Sequence, residues 1–305
     1  MSILLLSADG QVGFELHRAL APLGRIVATT RKGSLPGGVD CTRCDLADTG
    51  ALRALIETTR PRWIVNAAAY TAVDRAEDEA ELAQRINGDA LAVIGAAAKR
   101  IDARVVHYST DYVFAGAANQ PWREDDATGP LGAYGRSKLA GEHALRDSGA
   151  AHLIFRTAWV YGPRGANFLR TMLRLARERD RLTIVADQTG TPTPARLIAE
   201  TTALIVHALR DATMNDARFG TYHLTANGQT TWHGFASAII EHAHRTGLME
   251  RAPDVAAIAT DQFPTKAKRP AYSVLDTSKL QSTFSLALPD WTEGLARVVG
   301  ELANQ

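Results

Sequence analysis

The chain has 305 residues, which is enough for one large α/β domain or two smaller ones. Its 34 basic and 33 acidic residues give a formal net charge of +1, so no broad electrostatic field favours nucleic acid or an anionic membrane as a partner. The apolar run at 3–6 is too short for a signal peptide, and the longest apolar run, 90–98, is far shorter than a membrane span. We therefore expect a cytoplasmic protein.

Short apolar strands alternate with helical patterns through the first half of the chain. The predicted strands lie at 3–6, 25–30, 62–68, 103–110 and 151–162. The predicted helices lie at 11–21, 49–60, 77–99 and 133–147. This alternation predicts an α/β fold with a Rossmann-like, doubly wound parallel sheet that carries helices on both faces.

The pattern changes after about Arg164. Predicted helices at 167–179 and 195–210 are joined by loops rich in Pro and Gly. We expect residues 1–163 to form the Rossmann domain and residues 164–305 to form mainly a smaller substrate-binding region. A strand at 220–226 could return to the first sheet.

The stretch LLLSADGQVGFEL at 4–16 resembles the strand, glycine turn and helix that begin a dinucleotide site. Gly10 would let the backbone approach a pyrophosphate, and Gly13 would let the helix pack on the strand. Ser7 replaces the usual first glycine and can serve if its φ stays negative. The turn predicts a phosphate cradle formed by Gly10, Gln11 and Val12 at a helix N-terminus.

The end of the second strand suggests which cofactor is used. Arg31 and Lys32 follow this strand where an acidic residue would bind ribose hydroxyls, and two cations suit a 2′-phosphate. NADPH is therefore favoured and NADH stays an option, although the pair could also be a solvated basic turn. Asp45, next to Leu46, could accept from the adenine amino group or could cap the helix that follows.

Cys41 and Cys44 have the C-x-x-C spacing of a redox pair or half a zinc site. No further cysteine exists to complete a Cys-rich site. We favour the interpretation that both are small residues near a strand end.

Tyr134 and Lys138 are four residues apart and would share one face of a helix. A lysine cation about 4 Å from the phenol could lower the pKa of Tyr134 by up to about three pH units. This pair would place a general acid near neutral pH.

Ser109, Thr110 and Asp111 follow a predicted strand, at the sheet edge where ligands bind in open α/β folds. A hydroxyl there could donate to a substrate carbonyl. The alternative is an ordinary Ser/Thr turn at the end of a strand.

Eight segments together give a wider resemblance. They are DGQVGFEL, NAAAYTAVDRAE, STDYVFAG, AYGRSKLAGE, RTAWVYG, NFLRTML, DQTGTPT and RPAYSVLDTSKL. The chain resembles the extended short-chain dehydrogenase/reductase superfamily and, within it, the dTDP-4-dehydrorhamnose reductases. The likeness extends from residue 4 to about residue 280.

This resemblance implies a reaction and a catalytic trio. Thr110 would be the catalytic hydroxyl, Tyr134 would protonate the sugar oxygen at C4, and Lys138 would hold the nicotinamide ribose and tune Tyr134. NADPH would deliver a hydride to the 4-keto carbon of dTDP-4-dehydro-6-deoxy-L-mannose, giving dTDP-L-rhamnose. The nucleotide sugar would be the small-molecule partner, and residues 1–163 would bind NADP.

The resemblance also implies binding residues. The cofactor set comprises Gly10, Gln11, Val12, Arg31, Asp45, Leu46, Ala67, Ala68, Tyr70, Tyr134 and Lys138. The substrate set comprises Thr71, Val73, Thr110, Asp111, Tyr112 and Trp159.

Some members of the family form a dimer through glutamates that bind Mg²⁺, and Glu15 matches one such position. Arg196 stands where a second carboxylate would help, so we expect no Mg²⁺ bridge and a monomer or weak homodimer. Two other functions stay open: another nucleotide-sugar epimerase or reductase of the superfamily, and a non-catalytic, cofactor-binding regulatory subunit.

Overall fold

A computed structural model describes residues 1–304. Its strands are β1 Ser2–Leu6, β2 Arg25–Thr30, β3 Thr42–Arg43, β4 Trp63–Asn66, β5 Arg104–Thr110, β6 His152–Thr157, β7 Val160–Tyr161, β8 Arg181–Val185, β9 Thr189–Gly190, β10 Thr193–Pro194, β11 Gly220–His223, β12 Thr230–Thr231 and β13 Asp254–Ile258. Its α-helices are α1 Gln11–Ala19, α2 Thr49–Thr59, α3 Ala80–Gln84, α4 Ala90–Arg100, α5 Ala133–Asp147, α6 Phe168–Glu178, α7 Ala195–Ala208, α8 Trp232–Arg245, α9 Ser278–Phe284 and α10 Trp291–Ala303.

Seven strands form one parallel sheet in the order β11-β6-β5-β4-β1-β2-β3. Because side chains alternate along a strand, Ile3 and Leu5 of β1 pack with α1 and α7, whereas Leu4 and Leu6 pack with α2 and α4 on the other face. Both faces are covered, which explains why the central strands are continuously apolar. The predicted Rossmann-like doubly wound sheet is confirmed.

The chain returns to this sheet after residue 164. β11 pairs with β6 at the sheet edge, so the strand predicted near 220–226 is present at Gly220–His223. Helix α7 packs on α1 beneath the same sheet. One strand and one helix of the Rossmann fold therefore come from the part of the chain after residue 164.

The remaining C-terminal elements have a core of their own. Tyr161, Leu169 and Phe235 are fully buried there among α6, α8 and α10. The two-stranded parallel sheet of β8 and β13 contacts α8. Within residues 1–304, no helix is both long enough and apolar enough to cross a bilayer.

The helix predicted over 77–99 is present from residue 80 to residue 100, but it begins later than predicted and contains a π-helical turn. Arg75–Glu77 is a 3-10 turn, α3 follows, and Arg85–Asp89 is a π-helical segment before α4. The π turn directs the Asn87 side chain inward, where it pairs with both backbone groups of Tyr70 and donates to Ser137 on α5. This polar contact between distant segments leaves no trace in the hydrophobic pattern.

Candidate active site

A cleft of about 430 Å³ lies at the carboxyl ends of β1, β4, β5 and β6. Its lining includes Gly10, Gln11, Val12, Ala67, Ala68, Thr71, Val73, Thr110, Asp111, Tyr112, Tyr134, Lys138 and Trp159. Most of the residues predicted for the site therefore meet in one place. Four others, Arg31, Asp45, Leu46 and Tyr70, lie outside this lining.

The glycine turn forms, but Ser7 does not behave as predicted. Its φ is 62°, in the left-handed region, so the expectation of a negative φ is wrong. The turn brings the Ser7 carbonyl so close to α1 that a Cβ on Gly13 would lie 1.8 Å from this oxygen. Gly13 therefore has the predicted role of packing the helix on the strand.

The start of α1 can accept a phosphate group. Gly10 is the N-cap and no side chain caps the first N–H groups of the helix, while a Cβ on Gly10 would meet nothing closer than 3.4 Å. The Gln11 side chain is fixed by Asn167 Nδ2, which donates to Oε1 at 2.8 Å, and by the carbonyl of Ala166. These residues fit a pyrophosphate.

Arg31 and Lys32 are exposed at the end of β2. Asp45 Oδ1 accepts from Ala47 N at 2.9 Å, but it is Asp48 that caps α2 by accepting from Ala51 N. Asp45 is exposed, so its carboxylate is accessible to a ligand.

Two residues of the cofactor set are engaged within the protein. Leu46 is buried in the apolar core between the sheet and α2. The Tyr70 hydroxyl donates to Glu79 at 2.6 Å, and its backbone pairs with Asn87. Neither side chain points a polar group into the cleft.

Thr110 and Tyr134 come from different elements and adjoin in the cleft. Thr110, the last residue of β5, donates from Oγ1 to Asp111 Oδ1 at 2.9 Å and accepts from Tyr112 N at 3.2 Å. Tyr134 lies in the first turn of α5, and its ring meets that of Tyr112 edge-on with centroids 5.6 Å apart. The burial of Asp111 raises the pKa of its carboxyl to about 6, although the Thr110 hydroxyl partly offsets this effect.

Lys138 lies one turn beyond Tyr134 and is buried. Its Nζ donates to the carbonyl of Tyr108 at 2.6 Å and lies 3.2 Å from His107 Nε2, both on β5. Burial lowers the pKa of Lys138 to about 7, against the opposing effect of Glu142.

The predicted effect of Lys138 on the tyrosine is wrong. Burial raises the pKa of Tyr134 well above its ordinary value, and the hydroxyl of Thr110 offsets this only in part. The two residues share a helix face as predicted, but the lysine ammonium is directed to β5 and does not supply the expected stabilisation of the phenolate.

A buried ionic cluster supports the end of β5. Glu142, on the same face of α5 as Lys138, accepts from Ser109 Oγ at 2.5 Å and from Arg156 Nε and Nη2 at 3.0 and 2.8 Å. Arg146 adds a longer contact of 3.3 Å. The cluster fixes α5 to β5 and β6 directly beneath the cleft.

His107 touches the site through Lys138 but is not among the residues predicted for it from the sequence. It is fully buried, but it contacts Lys138 through Nε2 and Asn66 through Nδ1. Side chains alternate along β5, so His107 and Ser109 lie on the face of the sheet that meets α5. This alternation, visible in the sequence, could have predicted the contact between His107 and α5.

The cleft continues towards a second cavity of about 420 Å³ in the C-terminal region. Trp159 has a φ of 46° and stacks on Trp232 with ring centroids 3.5 Å apart. Trp232, which is not among the residues predicted for the site, also lines the second cavity. Arg269 lines it too, donates to the Tyr112 hydroxyl at 3.1 Å and pairs with Asp74 at 2.8 Å.

Glu15 is buried and accepts from Arg196 at 3.4 Å, while the same guanidinium pairs with Glu301. In the part of the chain that is described, no group of three or more His, Cys, Asp or Glu residues is placed to hold a metal ion.

Cys41 and Cys44 are free thiols, and burial, followed by the charge of Asp45, raises the pKa of Cys44 to about 11.

The model of the RmlD substrate binding domain matches residues 1–304. A dTDP-4-dehydrorhamnose reductase of Shigella flexneri is 47% identical over 302 residues, which cover 99% of this chain and 98% of that protein. The chain belongs to the dTDP-4-dehydrorhamnose reductase family.

Solved structures of this family have the same fold. A dTDP-4-dehydrorhamnose reductase from Clostridium acetobutylicum aligns with a TM-score of 0.86 at 34% identity and 99% coverage of both chains. One from Bacillus anthracis, in complex with NADP, aligns with a TM-score of 0.85 at 32% identity, covering 98% of this chain and 99% of that chain.

Proposed function

We propose that this chain catalyses the NADPH-dependent reduction of the 4-keto group of dTDP-4-dehydro-6-deoxy-L-mannose to give dTDP-L-rhamnose. The observation that carries the proposal is the convergence of Thr110, Tyr134 and Lys138 in one cleft with the uncapped N-terminus of α1. Family membership and the NADP complex of the Bacillus anthracis relative support the choice of reaction and cofactor.

The cofactor would lie along the carboxyl edge of the sheet. Gly10, Gln11 and Val12 would hold the pyrophosphate, and Ala67 and Ala68 would line the path of the ribose. Arg31 would pair with the 2′-phosphate at the end of β2. Bound in this position, NADPH supplies the hydride that reduces C4.

Tyr134 would donate the proton to the C4 oxygen. Its raised pKa keeps the phenol protonated at neutral pH, so it is ready to act as an acid. Thr110 would turn its hydroxyl from Asp111, donate a second hydrogen bond to the same oxygen and orient the carbonyl. Lys138, in its charged form, would bind the nicotinamide ribose.

The substrate would extend from the cleft into the second cavity. Thr71, Val73, Asp111, Tyr112 and Trp159 would contact the sugar, since all five line the cleft. The nucleotide would enter the second cavity, where Arg269 stands between the two spaces and suits the diphosphate. This assignment makes 164–305 mainly the substrate-binding region and 1–163 mainly the NADP-binding one.

We also propose that the chain acts in the cytoplasm as a monomer or weak homodimer without a Mg²⁺ bridge. The guanidinium of Arg196 already pairs with both Glu15 and Glu301. Sedimentation should then give the same mass distribution in about 5 mM Mg²⁺ as in EDTA. This comparison is repeated at protein concentrations about tenfold apart. A dimer that dissociates only on chelation would contradict the proposal.

The reaction is tested by mixing protein, NADPH and the 4-keto sugar nucleotide and following the absorbance of the reduced cofactor. Tyr134→Phe should reduce kcat by about 10²–10⁴-fold while NADPH still binds. Tyr272→Phe is the matched control, because the Tyr272 hydroxyl contacts Gln229 outside the cleft. No cofactor oxidation by the wild-type protein, or equal rates for the two variants, would refute the assignment.

A further inference from the structure

The hydrogen bonds behind Lys138 have a fixed direction. The backbone N–H of Ala68 can only donate, and it does so to Asn66 Oδ1 at 3.1 Å. This contact leaves Asn66 Nδ2, a donor, facing His107 Nδ1 at 3.2 Å. His107 Nδ1 must therefore accept, and in a neutral imidazole the proton is then on Nε2.

His107 is neutral in this environment. It is fully buried on β5, and this burial is the main cause that lowers its pKa well below the ordinary value. Its Nε2–H group points at Lys138 Nζ, 3.2 Å away. A neutral amine can accept this bond with its lone pair while one of its own N–H groups donates to the Tyr108 carbonyl.

We propose that Asn66 and His107 form a relay that holds Lys138 as a neutral amine against β5 and so sets the pH at which this lysine becomes a cation. The inference rests on the proposed function, in which the charged form of Lys138 is the active one. An ammonium has three donors and no lone pair, so it cannot accept from His107. If the proton of His107 were on Nδ1 instead, this N–H group and the NH₂ group of Asn66 would face each other as two donors with no acceptor between them.

Other ionisable groups surround this lysine. They are His107 on β5, Asp111 and Tyr112 directly after β5, Tyr134 and Glu142 on α5, and Arg156 on β6. Glu142 favours the charged lysine, but its oxygens are already bound by Ser109 and Arg156. His107 is the group that contacts Nζ directly, so it is the residue whose replacement should change the titration.

His107 is thus a positioning residue, and its signature is a pH profile. Since the cation is the active form, kcat/KM should fall as pH rises through the pKa of Lys138. His107→Met removes the donor that stabilises the neutral amine, and the falling limb should then shift upward by about one pH unit. His107→Gln keeps an N–H at nearly the same place, and its limb should stay near that of the wild type.

The two variants therefore separate the relay from simple core packing. A limb that stays in place in His107→Met, or that shifts downward, overturns the proposal. Equal shifts in both variants overturn it too, because a loss of packing would not distinguish Gln from Met.

A second measurement needs neither activity nor a stable variant. Nitrogen-15 NMR of the histidine-labelled wild-type protein should show His107 as a neutral Nε2–H tautomer at pH 8, whether or not the protein reduces the keto sugar. An Nδ1–H tautomer or an imidazolium would overturn the relay while leaving the proposed function intact. A correct tautomer with no reductase activity would instead count against the proposed function alone.

Discussion

Glu142 should be the most stability-critical carboxylate beneath the site. Its side chain is fully buried, and Arg156, which it binds, is only 3% exposed. Glu142→Gln keeps the shape of the side chain but removes its charge. It also puts an NH₂ group in place of one of the two carboxylate oxygens, which in the wild-type protein accept hydrogen bonds from Ser109 and Arg156. The guanidinium is left buried without a counter-charge, which typically costs about 3–5 kcal/mol.

Thermal melting gives the measurement. With an unfolding entropy of about 2.1 cal/mol/K per residue, this loss corresponds to a fall in Tm of about 5–8 °C for a chain of this length. Glu178→Gln is the matched control, because the Arg174–Glu178 pair is 61% and 51% exposed and should cost less than about 0.5 kcal/mol. Melting of the two variants within about 1 °C of each other would show that the buried Glu142–Arg156 pair contributes no more stability than the exposed one.

The same pair predicts a dependence on pH. Burial alone would raise the pKa of Glu142, but hydrogen bonds and charge from Arg156 hold it below the ordinary value. The stability that this group contributes is therefore fully present above its unfolded pKa of about 4.3 and is lost as pH falls through the folded pKa. The Tm difference between wild type and Glu142→Gln should accordingly be constant from pH 6 to 8 and shrink below about pH 4.

Three further predictions use single residues. Ser7→Gly should stabilise the protein by about 1 kcal/mol, because a left-handed φ of 62° costs an L-residue about that much; an unchanged Tm would contradict this account of the turn. Arg31→Ser should raise KM for NADPH about tenfold and leave KM for NADH nearly unchanged, whereas equal increases would refute a 2′-phosphate contact. At pH 8, a thiol reagent should modify Cys41 in the native protein and reach Cys44 only after unfolding, because Cys44 is buried and its pKa is raised to about 11.

The sheet could be predicted from sequence because its pattern is local. The strands at 25–30 and 103–110 and the helix at 133–147 have their bounds, to within a residue, in the apolar runs and turn residues of the chain. The π turn inside the helix predicted over 77–99 could not be predicted, because it directs Asn87 to Tyr70 and Ser137, which are distant in sequence. A pattern of apolar residues records burial and carries no information about such polar contacts.

For the site, the sequence predicts where the side chains lie but not the surroundings that decide their ionisation. Helical spacing places Tyr134 and Lys138 on one face of α5, but it does not say what stands opposite each of them. Tyr134 faces the cleft, and burial raises its pKa, whereas Lys138 faces β5 and meets His107.

The sign of a pKa shift depends on the competition between burial and neighbouring charge, and both come from elements that fold in from elsewhere in the chain. For Lys138 the deciding neighbour is the Nε2–H group of His107. That this nitrogen carries the proton follows only from the chain of hydrogen bonds that runs through Asn66 to the backbone amide of Ala68. The cofactor-side loop that carries Ala68 is therefore joined to the catalytic lysine by three hydrogen bonds, through the side chains of Asn66 and His107. A change in this loop should alter the titration of Lys138 even though no residue of the loop contacts its ammonium group.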